Sequence, residues 1–188
     1  MCKIIFKIIT EPSPNTASNV EKLKNFSGSR ITEFRALLRA TLEERLQLIR
    51  QNSNVLEVFE AFPFLSKPDG LIEEFKIRTS KPNTKWLSMK LLRLSKKHPE
   101  LSTDQLLLKL PEILGDSGQL MFDDSVDEIP VYPVILKNES HYWVRLENAA
   151  FCKTSSLKEC MMCWAFTYQI FELSYPEGLE ATINFFIK

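Results

Sequence analysis

Apolar residues recur at three- and four-residue steps over two long segments of this chain, and that spacing favours helices there. One stripe runs through Leu157, Met161, Trp164, Tyr168 and Phe171. A second stripe runs through Ile31, Phe34, Leu38, Leu42, Leu46 and Ile49. Because side chains three or four positions apart share one face of a helix, the two stripes predict amphipathic helices over 31–50 and 157–171.

Start and stop signals predict further helices between these two. Ser, Asp and Asn caps, Pro in a first turn and Pro after a last turn mark their ends. In the first half of the chain the predicted helices are Val20–Phe26, which follows the capping pair Ser18 and Glu21, then Val55–Ala61, and then a helix that is capped by Ser66 and ends near Ile77. In the second half they are Asn83–Lys97, a helix that is capped by Ser102 and Gln105 and split at Pro111, and a last helix that begins at Pro176.

The strand signals are fewer and lie together. Val131–Leu136 and Tyr142–Leu146 are rich in β-formers, and the polar turn 137–140 joins them, which predicts an antiparallel hairpin. Ala149–Cys152 predicts a short third strand, and Gly115–Ile129 reads as a polar loop. The predicted fold class is therefore α+β, with a mainly helical body and a small antiparallel β-hairpin.

A length of 188 residues suits one domain with a short arm. We predict an N-terminal arm over 1–19, made of a strand over 1–9 and a linker over 10–19, and a mainly helical domain over 20–188. The apolar opening MCKIIFKII is too short to span a bilayer, so no membrane span is predicted. Four Cys without a regular framework predict reduced thiols in a cytoplasmic or nuclear protein.

The segment from Lys76 to Lys97 carries eight cations and no acidic residue in a chain whose formal net charge is zero. We expect its cations on the predicted helix to be solvent-exposed, because burying an unpaired ammonium group is costly. Two interpretations remain open, a solvated helix face with Trp86 in the core, and a surface for an acidic partner or nucleic acid. The candidate partner-binding residues are Lys85, Lys90, Arg93, Lys96 and Lys97.

Other chemistry-bearing residues form weaker patterns. Four zinc ligands could come from Cys160 and Cys163 together with Cys152 and His141. However, Cys160 and Cys163 lie within a predicted helix, which favours buried thiols over zinc or redox chemistry. The acidic loop residues Asp123, Asp124 and Asp127 lack a calcium-loop pattern. No partnered nucleophile accompanies His141. We therefore predict no catalytic residue, no metal and no cofactor.

Several short motifs follow one another in a recognisable order. They are Ala61–Leu65, Leu110–Leu114, the hairpin, Trp164–Phe166, Tyr175–Pro176 and Ile183–Phe186. This order resembles the C-terminal region of sterile-alpha-motif-domain-3-like proteins of animals, over roughly 55–188. The resemblance brings no catalytic residues with it, and implies an association role only by analogy with sterile-alpha-motif domains.

These observations together predict a non-enzymatic, intracellular interaction module with a protein partner. Nucleic-acid binding through the basic 76–97 segment is the alternative, and an enzyme comes third. The sequence leaves the oligomeric state open.

Overall fold

A computed structural model of the chain describes residues 14–26, 31–51, 54–80, 84–123 and 131–188. Its strands are β1 (Met121–Asp123), β2 (Val134–Lys137), β3 (Tyr142–Leu146) and β4 (Ala149–Thr154). A 3₁₀ turn spans Pro63–Ser66. The helices are α1 (Pro14–Lys24), α2 (Ile31–Ala40), α3 (Leu42–Arg50), α4 (Val55–Ala61), α5 (Pro68–Arg78), α6 (Lys85–Lys97), α7 (Thr103–Leu108), α8 (Leu110–Leu114), α9 (Leu157–Ile170) and α10 (Glu180–Ile187).

Helix α9 lies at the centre of the main core. Every residue from Cys160 to Tyr168 is buried, and the helix contacts β2, β3, β4, α5, α7 and α10. The ring of Phe166 stacks on Phe75 of α5, with ring centroids 3.6 Å apart. The helix predicted over 157–171 is confirmed to within one residue, because its apolar stripe has a covering element on each side.

The sequence predicts that the two amphipathic helices joined at Tyr175–Pro176 share their apolar faces, and α9 and α10 do pack together. Trp164, Tyr168, Ile183 and Phe186 belong to one buried cluster, and Phe171 packs against it half-buried. Burial of these large side chains is the main source of stabilisation at this end of the molecule, since apolar area removed from water contributes about 25 cal/mol per Å².

Ser156 and Glu159 have capping-box spacing before the apolar stripe of α9, but the capping box that this spacing predicts is only half formed. The Ser156 hydroxyl accepts from the Glu159 backbone N–H at 3.2 Å, as predicted. The Glu159 carboxylate accepts instead from the Thr154 hydroxyl at 2.5 Å, and that hydroxyl oxygen in turn accepts from the Ser156 backbone N–H. Thr154 at the end of β4 therefore ties the sheet to the first turn of α9.

The sheet is larger than the predicted hairpin. The strand order is β1-β2-β3-β4, in which β1 runs parallel to β2 while the β2–β3 and β3–β4 pairs are antiparallel. The predicted α+β class with a helical body is confirmed, and the third strand predicted over 149–152 forms part of β4. A purely antiparallel sheet is wrong, because β1 adds a parallel strand. Strand β1 lies within the segment predicted as a polar loop. Buried Leu120 directly precedes it and accepts a backbone hydrogen bond from Ile135 at 2.7 Å.

Two helix predictions are wrong in their bounds near the N-terminus. The predicted helix over 31–50 divides at Thr41 into α2 and α3. The buried Thr41 hydroxyl donates to the Leu37 carbonyl at 2.7 Å, an interaction that bends helices. Helix α1 begins at Pro14, so Ser18 is inside it and not its cap, and residues 14–19 of the predicted linker are helical. The strand predicted over 1–9 lies outside the described residues.

Two other predicted helix starts are also wrong. Ser66 does not cap α5, because its hydroxyl donates to the Pro63 carbonyl at 2.7 Å. The last helix begins at Glu180, four residues after Pro176. The Asp116 carboxylate accepts from the Ala181 and Thr182 backbone N–H groups, at 3.2 and 2.6 Å. A side chain distant in sequence thus caps α10, where its negative charge also favours the helix N-terminus.

A second apolar cluster forms beside the main core. Its buried members are Leu23, Phe34, Leu37, Leu38, Val58, Phe62 and Leu65. Ile49, Phe59 and Phe171 pack against both clusters, so the N-terminal helices are joined to the main core through shared side chains. In the described part of the chain, no helix has both the length and the apolar composition to cross a bilayer.

Candidate partner-binding surface

Helix α6 carries all five predicted partner-binding residues. Leu87 and Leu91 are buried against the main core, and Leu94 packs beside them half-buried. The helix ends at Lys97, and Pro99 follows two residues later, as a proline stop signal predicts. The i, i+4 spacing of its leucines therefore decides which face turns inward, and leaves the opposite face to solvent.

Four of the five predicted cations are solvent-exposed, namely Lys85, Arg93, Lys96 and Lys97. The prediction is wrong for Lys90, which is half-buried. Its ammonium group donates to the Phe185 carbonyl at 3.0 Å and lies 4.8 Å from the centroid of the Trp86 ring. Lys90 thus joins α6 to the last turn of α10, where a cation is favoured by the helix dipole and by the aromatic face.

The segment 76–97 is not one continuous basic surface. Lys76 and Arg78 lie on α5 and pair with Glu73 and Glu74, at 2.6 and 2.8 Å. Burial acts to raise the pKa of Glu73, but hydrogen bonds from Arg35 and Lys76 outweigh it and hold that pKa below its usual value. The first cations of the segment are therefore paired with carboxylates of α5, one of which, Glu73, is shared with Arg35 of α2. Lys81 lies outside the described residues.

Exposed apolar residues accompany the α6 cations. Met89 and Leu92 are 54% and 58% exposed, and they lie three positions apart on one side of the helix. Arg93 and Lys96 neighbour them at i+4. A helical wheel drawn from the sequence places Met89 among the cations, whereas the exposure of Leu92 was not predicted. The spacing of Leu92, three residues after Met89 and four before Lys96, was the feature of the sequence that could have predicted its place on the exposed side of the helix.

The exposed cations have few counter-charges in the structure. Among the described residues, no carboxylate forms an ion pair with Arg93, Lys96 or Lys97. The sequence also allows Asp123, Asp124 and Asp127 to fold back on these cations, but their side chains lie outside the described part of the chain. The surface formed by Lys85, Met89, Leu92, Arg93, Lys96 and Lys97 is called the α6 face below.

The other candidate residues lie elsewhere. Cys152, Cys160 and Cys163 are free, fully buried thiols. Burial raises the pKa of Cys160 well above its usual value, which disfavours the reactive thiolate.

The His141 Nδ1 lies 2.7 Å from the neighbouring Ser140 hydroxyl in the exposed turn before β3. Within the described ranges, no group of three or more His, Cys, Asp and Glu side chains could hold a metal ion.

The fold and the α6 face together define a mainly helical α+β protein with a four-stranded mixed sheet and a basic, partly apolar helix surface. No protein-family model, curated protein or solved structure matches this chain. The resemblance to sterile-alpha-motif-domain-3-like proteins stays a prediction.

Proposed function

We propose that this chain is a non-enzymatic interaction module that binds an acidic segment of another protein through the α6 face. The observation that carries the proposal is the combination of Met89 and Leu92, both more than half exposed, with four exposed cations on one helix. Apolar side chains at the centre of a contact, with charges at its rim, are typical of protein interfaces.

The expected partner is an amphipathic helix with acidic residues beside apolar ones. Helix α6 has 13 residues and so extends about 20 Å at 1.5 Å per residue. A partner helix laid along it would bury Met89 and Leu92, while its carboxylates would meet Arg93, Lys96 and Lys97. Charge attraction would raise the association rate, and apolar burial would slow dissociation.

Nucleic acid is the second candidate, because spaced cations also suit phosphates. Two observations favour a protein. The chain as a whole has zero formal net charge, whereas nucleic-acid-binding domains are commonly basic. Two apolar side chains also lie among the cations, where a phosphate backbone would give them no partner.

The test uses a synthetic amphipathic helical peptide of Glu and Leu residues, with binding to the ¹⁵N-labelled protein followed by NMR. We expect shifts at α6 residues and a binding constant that falls as salt rises. Met89→Ser/Leu92→Ser should weaken binding at least about tenfold, equivalent to about 1.4 kcal/mol. Arg93→Glu/Lys97→Glu should also weaken it. The matched control is Lys22→Glu/Lys24→Glu, which changes exposed cations on α1.

Duplex DNA and single-stranded RNA serve as the competing ligands. The nucleic-acid alternative replaces the proposal if either ligand binds more tightly than the peptide and Met89→Ser/Leu92→Ser leaves its binding unchanged. In that case Arg93→Ala/Lys97→Ala should also reduce the slope of log binding constant against log salt concentration by about one unit per lost phosphate contact. Peptide shifts that bypass α6 would also contradict it.

A further inference from the structure

A cavity of about 320 Å³ lies in the groove between α2 and the C-terminal half of α5. Its lining comes from these two helices and from the residue that lies two positions after α5, namely Arg35, Arg39, Glu73, Lys76, Ile77 and Ser80. The volume is at the lower end of the range of about 300–1,000 Å³ found for small-molecule sites, so the cavity suits a compact group. None of the lining residues belongs to α6, so this site is separate from the α6 face.

One carboxylate fixes two of the three cations in this lining. The Glu73 side chain is only 8% exposed. It accepts hydrogen bonds from Arg35 Nε and Nη2, at 2.6 and 3.1 Å, and from Lys76 Nζ at 2.6 Å. Because charge-assisted hydrogen bonds are strong and directional, they hold both cations in place before a ligand arrives.

Each cation of the lining keeps donors on its accessible side. The Arg35 side chain is 37% exposed, and its Nη1 makes no hydrogen bond with any described residue. The Lys76 side chain is 18% exposed, and its ammonium group gives only one of its three donors to Glu73. Arg39 is exposed and forms no ion pair within the described ranges. Glu43, four positions after Arg39, lies on α3 and does not line the cavity.

The lining has two positive charges in excess even when Glu73 is counted in full, because three cations face one carboxylate. Two other carboxylates of α5 do not change this balance. Glu74 is fully buried and pairs with Arg45 and Arg78. Asp69 lies one helical turn before Glu73 and lines an adjoining cavity instead.

We propose that this cavity binds a phosphate monoester dianion through Arg35, Arg39 and Lys76. A phosphate monoester carries about 1.5–2 negative charges at pH 7, which matches the two excess positive charges of the lining. The planar donor forks of two guanidinium groups suit the oxygens of a phosphate. A monoanion of the same shape would leave one cation unbalanced. The phosphate can belong to a small molecule or to a phosphorylated side chain of a protein, and the test separates these two sources.

The test compares phenyl phosphate with phenyl sulfate, which has a similar shape but one negative charge fewer. Binding to the ¹⁵N-labelled protein is followed by NMR. We expect phenyl phosphate to shift amides of 35–39 and 76–80, and phenyl sulfate to bind at least about tenfold more weakly, because it engages one charge fewer. Binding of phenyl phosphate should weaken as salt rises.

A neutral peptide that carries one phosphoserine distinguishes the sources of the phosphate. Tighter binding of the peptide than of phenyl phosphate assigns the site to a phosphorylated protein, and weaker binding assigns it to a small organic phosphate. Either order supports a phosphate monoester site, provided that the same amides of α2 and α5 shift.

Arg39→Glu makes the lining neutral and should abolish binding of phenyl phosphate. The variant is expected to fold, because Arg39 is exposed and forms no ion pair with any described residue. Lys109→Glu makes the same change of charge at an exposed residue between α7 and α8, and it is the matched control. It should leave binding within about twofold, since charges farther apart than the Debye length are screened.

Ser80 offers a second matched pair of variants. Its φ is 55°, a left-handed conformation that Asn and Asp adopt more readily than most residues, so both replacements are expected to fold. Ser80→Asp adds a carboxylate to the lining and should weaken binding of phenyl phosphate at least about tenfold. Ser80→Asn has nearly the same shape without the charge, and should leave binding within about threefold.

Four results would each overturn the proposal. They are equal binding of phenyl phosphate and phenyl sulfate, unchanged binding in Arg39→Glu, equal losses in Ser80→Asp and Ser80→Asn, and no binding of phenyl phosphate at low salt. Amide shifts confined to residues outside α2 and α5 would also contradict it.

Discussion

At the scale of single residues, the buried ionic network of Arg45, Glu74 and Arg78 is the feature that distinguishes this core. Arg45 and Glu74 are both 0% exposed and lie 2.7 Å apart. Burial lowers the pKa of the Arg45 guanidinium below its usual value, and attraction by Glu74 opposes that shift. Arg45 also donates to the Thr41 hydroxyl and the Leu38 carbonyl. One buried carboxylate thus pairs with two guanidinium groups.

The first prediction compares the two ends of this network. Glu74→Gln should destabilise the protein by about 3–5 kcal/mol, because it leaves the buried Arg78 without its carboxylate and Arg45 with only the attraction of Glu44. Arg45→Met should cost less, about 1–3 kcal/mol, because the remaining Glu74–Arg78 pair is balanced. Urea unfolding measures both. Glu57→Gln, an exposed change on α4, is the control and should stay within about 0.5 kcal/mol. Arg45→Met more destabilising than Glu74→Gln would contradict the charge argument.

At the scale of elements, one carbonyl group fixes α9 against the sheet. The Trp164 indole N–H and the Tyr168 hydroxyl both donate to the Pro133 carbonyl, at 2.8 and 3.1 Å. Pro133 is buried and immediately precedes β2. Residues 164 and 168 are one helical turn apart, so α9 presents both donors to the same acceptor. The aromatic stripe is therefore both apolar packing and the partner of a buried backbone group.

The second prediction is a double-mutant cycle on this acceptor. Trp164→Phe or Tyr168→Phe alone leaves the Pro133 carbonyl with one donor, whereas the double variant leaves it with none. The double variant should therefore lose about 1–3 kcal/mol more than the sum of the two single changes. Chemical denaturation of the four proteins measures this coupling, and volume changes cancel to first order in the cycle. Additive losses would mean that the two hydrogen bonds act independently.

At the scale of the whole molecule, stability is unevenly distributed between the two apolar clusters. Helix α9 contacts the sheet and three helices and is buried over most of its length. Helix α1 packs mainly on α2, and Leu23 is its one fully buried residue among residues 18–24. Regions with few buried apolar contacts open locally at lower free energy than the core.

The third prediction follows for amide hydrogen exchange. Amides of α9 should exchange only through global unfolding, so their protection should equal the full free energy of unfolding. Amides of α1 should exchange faster, through local opening. Mass spectrometry of peptides covering 157–170 and 14–24 measures the difference under identical conditions. Equal protection of the two segments would show that the clusters unfold as one unit.

Local pattern in the sequence was sufficient for many of the elements. The apolar stripe of α9, the capping pair Ser102 and Gln105 of α7, and the β-rich run Tyr142–Leu146 each depend on neighbours within about one helical turn or one strand. The structure forms the capping box at α7 and the strand β3 with the predicted bounds. The inward leucines of α6 belong to the same group, since a period of 3.6 residues decides which side chains share a face.

Only the tertiary structure decided which residues cover those faces. From the sequence alone, Arg45, Glu74 and Lys90 are expected at the surface, because burying a charge is costly unless it is paired. Those partners lie 29 residues from Arg45, at Glu74, and 95 residues from Lys90, at Phe185. The same holds for Asp116, which caps α10 from 65 residues away, and for β1, which exists because β2 supplies its hydrogen bonds. The sequence by itself determined the local elements and the sign of their charges. The placement of those charges, and hence the α6 face, depends on contacts between distant segments. Those contacts exist only once the chain is packed.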